Sequence, residues 1–129
     1  MVSADAPLAH TAHGAVRGVA RPGSSAFLGI PYAADPVGPL RFLPPFAPPA
    51  WEGVRDATAY GPTAQRMDMI GDLGDIPRIP EPSIPGDGIL AVNVFTPAPG
   101  DTGAGLPVLF WVHGGGFTGG SPASPWYDG

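Results

Sequence analysis

A short apolar run joined directly to three glycines constrains this chain more than any other feature. The run from Val108 to Val112 contains β-branched and aromatic residues, with proline before it and glycines after it. Such a run predicts a strand buried on both faces. Because Gly114, Gly115 and Gly116 carry no Cβ, their backbone N–H groups can approach a ligand closely and point into one small volume. The sequence therefore predicts a buried strand that ends in an anion-binding loop.

The composition indicates a loop-rich piece of a larger fold. The 129 residues include 20 Gly and 19 Pro, a level that also occurs in disordered chains. Here, however, glycine and proline separate apolar segments, and 43% of the chain is hydrophobic. Disordered tracts lack such segments. We therefore expect most of the chain to fold.

Charge and cysteine content argue against several kinds of partner. The formal net charge of −5 and the six basic residues, all arginine, provide no basic stripe for a nucleic acid and no basic amphipathic helix for a membrane surface. The absence of cysteine rules out disulfides and fits a reducing compartment. The first residues resemble no signal peptide. We expect a cytoplasmic protein without nucleic-acid or membrane partners.

Three more segments carry strand signals. Leu8 to Ala20 is typical of a strand pair broken at His13-Gly14, and Ala26 to Ile30 follows as a third strand. Ile89 to Thr96 is the next clear strand, and a glycine-rich connector leads from it to Val108. We therefore expect these last two strands to be sheet neighbours. Residues 51–60 fit either a strand or a turn.

The segment 33–50 is rich in proline and predicts an extended conformation. Its apolar residues Phe42, Leu43 and Phe46 are expected to attach it to a core. A ligand for a proline-recognising domain is the alternative. The interleaved aromatic residues favour burial within the same protein.

Two groups of polar residues are candidates for chemistry that their context disfavours. His10 and His13 could act as bases, but both lie near a turn in polar surroundings and fit surface histidines. The irregular stretch 63–88 has carboxylates that could hold calcium or magnesium, but their spacing does not match an EF-hand. We expect a solvated acidic loop that forms a lid or site wall, and no metal. Its carboxylates belong to Asp68, Asp72, Asp75, Glu81 and Asp87.

Six short motifs give the chain a family resemblance from about Gly14 onward. In order and spacing it resembles the N-terminal part of a type-B carboxylesterase, a cholinesterase-like α/β-hydrolase. The motifs are Phe27-Leu28-Gly29-Ile30-Pro31-Tyr32-Ala33, Leu40-Arg41-Phe42, Trp51-Glu52-Gly53-Val54-Arg55-Asp56-Ala57, Tyr60-Gly61-Pro62, Val92-Asn93-Val94 and Trp111-Val112-His113-Gly114-Gly115-Gly116-Phe117.

The chain departs from the family pattern at two places. Where the family has a Ser-Glu-Asp-Cys-Leu box, this sequence has Gly86-Asp87-Gly88-Ile89-Leu90, and Ala64 occupies the position of a frequent cysteine. The family's first disulfide is therefore missing. The resemblance also implies an ion pair between Arg41 and Asp87, which would tie the proline-rich segment to the strand that follows.

The resemblance implies an α/β fold, with residues 1–129 as the N-terminal segment of one α/β-hydrolase domain, made mostly of strands and long loops. It implies that the backbone N–H groups of Gly115 and Gly116 stabilise an oxyanion, while His113 and Gly114 shape the loop and Phe117 contacts the substrate pocket. A catalytic role for His113 is the alternative. A tight turn without a ligand is the alternative for the whole triplet.

The nucleophile expected for this chemistry is missing from the sequence. No Gly-x-Ser-x-Gly motif occurs, and the fold's triad order of Ser, then Asp or Glu, then His places all three after the glycine loop. We expect the rest of the same polypeptide to supply them, and the segment alone to be inactive.

The sequence leaves two candidate functions from different classes. The first is a serine carboxylesterase for small ester substrates that needs no cofactor. The second is a non-catalytic cholinesterase-like binding or adhesion module. Such modules are typically extracellular and disulfide-bearing, so the absence of cysteine favours the enzyme.

Overall fold

A computed structural model describes residues 6–66, 75 and 77–129. Within these ranges the chain forms six strands in two three-stranded sheets, and two short 3₁₀ turns. The strands are β1 (Leu8–Thr11), β2 (Gly14–Arg17), β3 (Val19–Arg21), β4 (Ser24–Pro31), β5 (Val54–Asp56) and β6 (Ala91–Thr96). The 3₁₀ turns are Gly38–Leu40 and Pro125–Tyr127.

The first sheet has the order β1-β2-β5. Strands β1 and β2 form an antiparallel hairpin in which Thr11 lies opposite Gly14, and β5 runs parallel to β2. The Trp51 indole fixes this sheet, because its Nε1 donates a hydrogen bond of 2.8 Å to the Ala15 carbonyl. A Cβ at Gly14 would lie 2.5 Å from that same nitrogen, so only glycine lets the indole pack against the hairpin.

The second sheet has the order β3-β4-β6, with antiparallel pairing on both sides of β4. The register between β4 and β6 shifts between Phe27 and Ile30, which marks a β-bulge. Gly29 in the bulge has φ 67°, and its N–H donates to Asn93 Oδ1 at 3.0 Å. The bulge therefore turns one backbone donor of β4 toward a side chain of β6.

A small apolar core lies between the two sheets. Val16 of β2, Phe27 of β4 and Ala57 after β5 are almost fully buried. The backbone joins these elements directly, because the Leu28 N–H donates to the Ala57 carbonyl at 2.8 Å. Ala9, Ile30 and Trp51 pack around this cluster.

The structure confirms the strand pair broken at His13-Gly14, which is β1 and β2. The predicted strand Ala26–Ile30 lies within β4, and the predicted strand Ile89–Thr96 lies mostly within β6. The prediction of a buried strand from Val108 to Val112 is wrong. These residues form no strand, and their side chains are 64–91% exposed. The expected pairing with β6 is also wrong, because the run forms no strand and β6 has a described neighbour on one side alone, which is β4. No other described strand lies beside the run, and a strand needs a partner to satisfy its backbone donors and acceptors.

Two predictions for the proline-rich segment also need correction. Phe42 is 95% exposed, whereas Leu43 and Phe46 are half-exposed and line a cavity of about 300 Å³ together with Tyr32 and Leu90. The predicted ion pair between Arg41 and the acidic box is not formed; the Arg41 guanidinium lies 5.3 Å above the Phe42 ring instead.

The physical reason is that Arg41 and Asp87 are both exposed. An ion pair in water gains little Coulomb energy and must hold two long side chains in place. A guanidinium stacked on a neighbouring aromatic ring needs less ordering.

The bulge predicts that a methyl group at Gly29 destabilises the fold more than one at an open glycine. Both Gly29 and Gly23 have positive φ, so replacement by alanine costs each about 1–2 kcal/mol. A Cβ at Gly29 would also lie 2.8 Å from the Gly61 backbone nitrogen, whereas one at Gly23 meets nothing within 4 Å. We expect Gly29→Ala to lower the free energy of unfolding by about 1–3 kcal/mol more than Gly23→Ala, measured in urea. Equal losses would contradict the close packing of the bulge.

Candidate functional site

The glycine loop, defined as residues 113–120, is closed by one carbonyl. The Gly115 carbonyl accepts hydrogen bonds from the N–H groups of Thr118 at 3.0 Å and Gly119 at 2.9 Å, and from Thr118 Oγ1 at 3.2 Å. Gly115, Gly116 and Phe117 have φ values of 129°, 58° and 66°. A Cβ at position 115 would lie 2.1 Å from the Gly119 carbonyl oxygen. Only glycine can occupy that position in this loop.

The carbonyl partners fix the direction of the two predicted donors. In a trans peptide the N–H points opposite to the carbonyl of the preceding residue, and no described peptide bond is cis. Because the Gly115 carbonyl points into the turn, the Gly116 N–H points out of it. The Gly114 carbonyl is bonded to the His113 ring, so the Gly115 N–H points away from that ring.

Neither of these N–H groups has a hydrogen-bond partner in the part of the chain that the structure describes. Among the described residues, no carbonyl or carboxylate accepts a hydrogen bond from the N–H of Gly115 or Gly116. Both residues are exposed, and the side chain of Phe117 beside them is fully exposed. The loop therefore presents two fixed backbone donors next to an aromatic surface, and can bind a small anion.

His113 is built into the loop rather than free beside it. Its Nδ1 lies 2.8 Å from the Gly114 carbonyl oxygen, and because a carbonyl only accepts, Nδ1 carries the proton. Its ring stacks on Tyr127 with centroids 6.4 Å apart. Tyr127 also contacts Trp111 at 5.9 Å. These contacts support the predicted loop-shaping role, which remains a prediction.

Sequence reasoning missed Asn93 as a support of the site. Its Nδ2 donates to the Pro122 carbonyl at 3.0 Å, just after the glycine loop, while its Oδ1 accepts from Gly29 in β4. The only sequence signal was its place in the Val92-Asn93-Val94 motif. The side chain therefore joins the second sheet to the segment that follows the loop.

Glu81 was also missed, because the sequence placed it only in an acidic loop. Its Oε1 accepts from the Gly120 N–H at 3.0 Å, and its Oε2 lies 3.1 Å from Arg66 Nε. No local pattern links positions 81 and 120. Of the other carboxylates in that stretch, Asp68 and Asp72 lie outside the described residues.

A third contact anchors the end of the described chain. Asp128 forms an ion pair of 2.5 Å with Arg21 of β3 and accepts from the Tyr60 hydroxyl at 3.2 Å. The hydrogen bond to Asp128 raises the pKa of the Arg21 guanidinium. Burial, followed by the nearby Asp128 charge, raises the pKa of the Tyr60 phenol.

The loop has donors for an anion, but the described residues place no activated serine beside them. In the described part of the chain no histidine hydrogen-bonds to a serine hydroxyl. No three metal-ligating side chains come together among the residues searched. No described helix is long and apolar enough to cross a membrane.

Solved structures define the class of this fold. A carboxylesterase of Geobacillus stearothermophilus matches with a TM-score of 0.78 at 41% identity, over 95% of this chain and 23% of that one. A para-nitrobenzyl esterase structure matches with a TM-score of 0.77 at 40% identity, over 95% of this chain and 24% of that one. These likenesses confirm the predicted α/β-hydrolase fold class.

The family follows from the sequence comparison. Residues 5–129 match the Carboxylesterase family, and the chain belongs to it. It is 46% identical to the fumonisin B1 esterase of Sphingopyxis macrogoltabida over 93% of this chain and 21% of the relative. It is 42% identical to the para-nitrobenzyl esterase of Bacillus subtilis over 92% of this chain and 23% of the relative. The chain thus spans about a fifth of the length of these curated relatives.

The raised pKa of Tyr60 predicts a pH-dependent contribution to stability. A phenol whose pKa is higher in the folded state binds its proton more tightly there, so stability is lost as the pH rises through the folded pKa. We expect the wild-type free energy of unfolding to fall above about pH 10 and that of Tyr60→Phe to fall less steeply. Urea unfolding at pH 9 and pH 11 measures the difference.

The matched control for this measurement is Tyr32→Phe, which changes an exposed phenol of 57% accessibility. We expect it to keep the wild-type alkaline profile. An unchanged profile in Tyr60→Phe would contradict the anchoring of Asp128 by the partly buried phenol.

Proposed function

We propose that this chain supplies the oxyanion-hole loop of a serine carboxylesterase that hydrolyses small carboxylic esters. The observation that carries the proposal is the pair of N–H groups at Gly115 and Gly116, which have no partner among the described residues and are each held in direction by the carbonyl of the preceding residue. Relatives named as esterases support it.

The proposed chemistry follows from where charge develops. Attack of a serine on the ester carbonyl produces a tetrahedral intermediate with a negative oxygen. Fixed donors aimed at that oxygen lower the barrier by about 3–4 kcal/mol each, because they need no reorganisation during the reaction. Gly115 and Gly116 would provide two donors, and the N–H after the nucleophile the third. Phe117 would contribute an apolar wall to the substrate pocket.

The remaining parts of the proposal concern the rest of the protein. The serine, the acidic residue and the histidine would come from other parts of the same hydrolase polypeptide, which makes residues 1–129 an N-terminal segment that is inactive alone. The reaction needs no diffusible cofactor. The missing cysteines support a cytoplasmic location, and the net charge of −5 supports the absence of nucleic-acid or membrane partners.

Removing one donor atom tests the proposal directly. Nonsense suppression with glycolic acid at position 116 in the full-length polypeptide replaces the Gly116 N–H by an ester oxygen without adding a side chain. We expect kcat for p-nitrophenyl acetate hydrolysis to fall about 10²- to 10³-fold, since one oxyanion donor is lost.

Glycolic acid at position 38 is the matched control. Gly38 has a φ of 54° close to the 58° of Gly116, and the preceding Val37 carbonyl also accepts a hydrogen bond in a turn, from Leu40. We expect this variant to keep wild-type kcat. Equal activities of the two variants would refute the oxyanion role, and a full-length protein without ester hydrolysis would favour a binding or adhesion module.

A further inference from the structure

We propose that Glu81 is a positioning residue for the oxyanion donors and acts through Gly120; the inference rests on the function proposed above. Glu81 does not reach Gly115 or Gly116 itself. Its carboxylate instead holds the far end of the glycine loop, where Oε1 accepts the Gly120 N–H at 3.0 Å. The same carboxylate lies 3.8–3.9 Å from the Cβ position of Gly119.

Gly120 in turn lies directly against the groups that orient the donors. A Cβ at position 120 would be 2.2 Å from the Gly114 carbonyl oxygen and 2.4 Å from His113 Nδ1. Gly120 therefore packs on the hydrogen bond that sets the direction of the Gly115 N–H. A shift of Gly120 would move the Gly114 carbonyl, and with it the donor in the same peptide group.

Gly119 gives the second route to a donor. Its N–H bonds to the Gly115 carbonyl at 2.9 Å, and that carbonyl sets the direction of the Gly116 N–H. Because Gly119 precedes Gly120 in the chain, the Glu81 contact restrains the end of this turn that donates to the Gly115 carbonyl. One carboxylate thus limits the motion of both peptide groups that carry the predicted donors.

Arg66 holds Glu81 in the place that this role requires. Its Nε lies 3.1 Å from Glu81 Oε2, and its Nη2 donates to the carbonyls of Glu81 and, at 3.1 Å, of Pro82. The Arg66 side chain is only 10% exposed. The Ser121 hydroxyl also donates to the Pro82 carbonyl at 2.7 Å. Residues 81 and 82 are therefore both hydrogen-bonded to residues 120 and 121.

The experiment compares Glu81→Met with Glu81→Gln in the full-length enzyme. Methionine has a similar size but no hydrogen-bonding oxygen, whereas glutamine keeps one acceptor for the Gly120 N–H. We expect kcat per active site, titrated with a fluorophosphonate, to fall about 10- to 100-fold in Glu81→Met while KM changes little. Glutamine is expected to restore most of this loss.

The control is Asp101→Ala, because Asp101 Oδ1 also accepts a glycine N–H, from Gly103 at 2.8 Å, in a different turn. It is expected to keep wild-type kcat and KM. Equal kcat in Glu81→Met and wild type, or equal losses in the methionine and glutamine variants, would overturn the positioning role.

A combined variant separates this inference from the function on which it rests. If Glu81 acts by aiming the donors, Glu81→Met should lower kcat by about threefold or less in a protein that already carries glycolic acid at position 116. The reason is that the effects of two changes on the same donor group are not additive. A full additional loss would show that Glu81 acts elsewhere and overturn the inference. An unchanged kcat for the glycolic acid variant alone would refute the oxyanion proposal itself.

Discussion

The Asn93 side chain connects the second sheet to the segment that follows the glycine loop, and the position of that loop depends on this connection. One end of its amide accepts from the bulged backbone of β4 and the other donates to the carbonyl of Pro122. The amide has both a donor and an acceptor at a fixed separation, so it can join a strand to a loop that forms no ladder with it. Without this bridge, the backbone bulge at Gly29 would leave a part-buried N–H without a partner, which costs free energy. The sheet and the segment after the glycine loop are therefore stabilised together.

Glycines, which have no Cβ, determine the shape of the site as much as side chains do. Positions 115 and 120 both approach backbone oxygens more closely than any side chain allows, at 2.1 and 2.2 Å from the ideal Cβ. The resulting turn brings the Gly114 and Gly115 carbonyls to internal partners and leaves the N–H groups on the opposite side free. Rigid donors of this kind bind an oxyanion without reorganising, which is why a backbone turn can be as effective as charged side chains.

The sequence predicted what depends on neighbouring residues in the chain. The hairpin at His13-Gly14 and the strands around Phe27 and Val94 follow from local turn chemistry and β-branched patterns, and the structure contains them. The run from Val108 to Val112 has an equally clear pattern but forms no strand, because pairing depends on a partner strand that local sequence does not specify.

The same distinction applies within the site. The glycine triplet predicted an anion-binding loop. Which N–H groups remain available to an anion, however, depends on the hydrogen bonds that the Gly114 and Gly115 carbonyls accept. The link from Glu81 to Gly120 spans 39 residues and rests on one hydrogen bond, which leaves no trace in local composition. Only the folded chain brings these two residues together.

A carboxylate beside the proposed oxyanion loop needs a compensating charge, and Arg66 provides it. A lone negative charge near the loop would oppose the charge that develops on an ester oxygen, and this repulsion would be strongest where water is excluded. The Arg66 guanidinium, 3.1 Å from Glu81 Oε2, carries the compensating charge. The pair thus offers the Gly120 N–H a strong acceptor at almost no net charge. A neutral carbonyl could also accept that hydrogen bond, but its own hydrogen bond from Arg66 Nε would be weaker than the charge-assisted one that the carboxylate accepts at 3.1 Å.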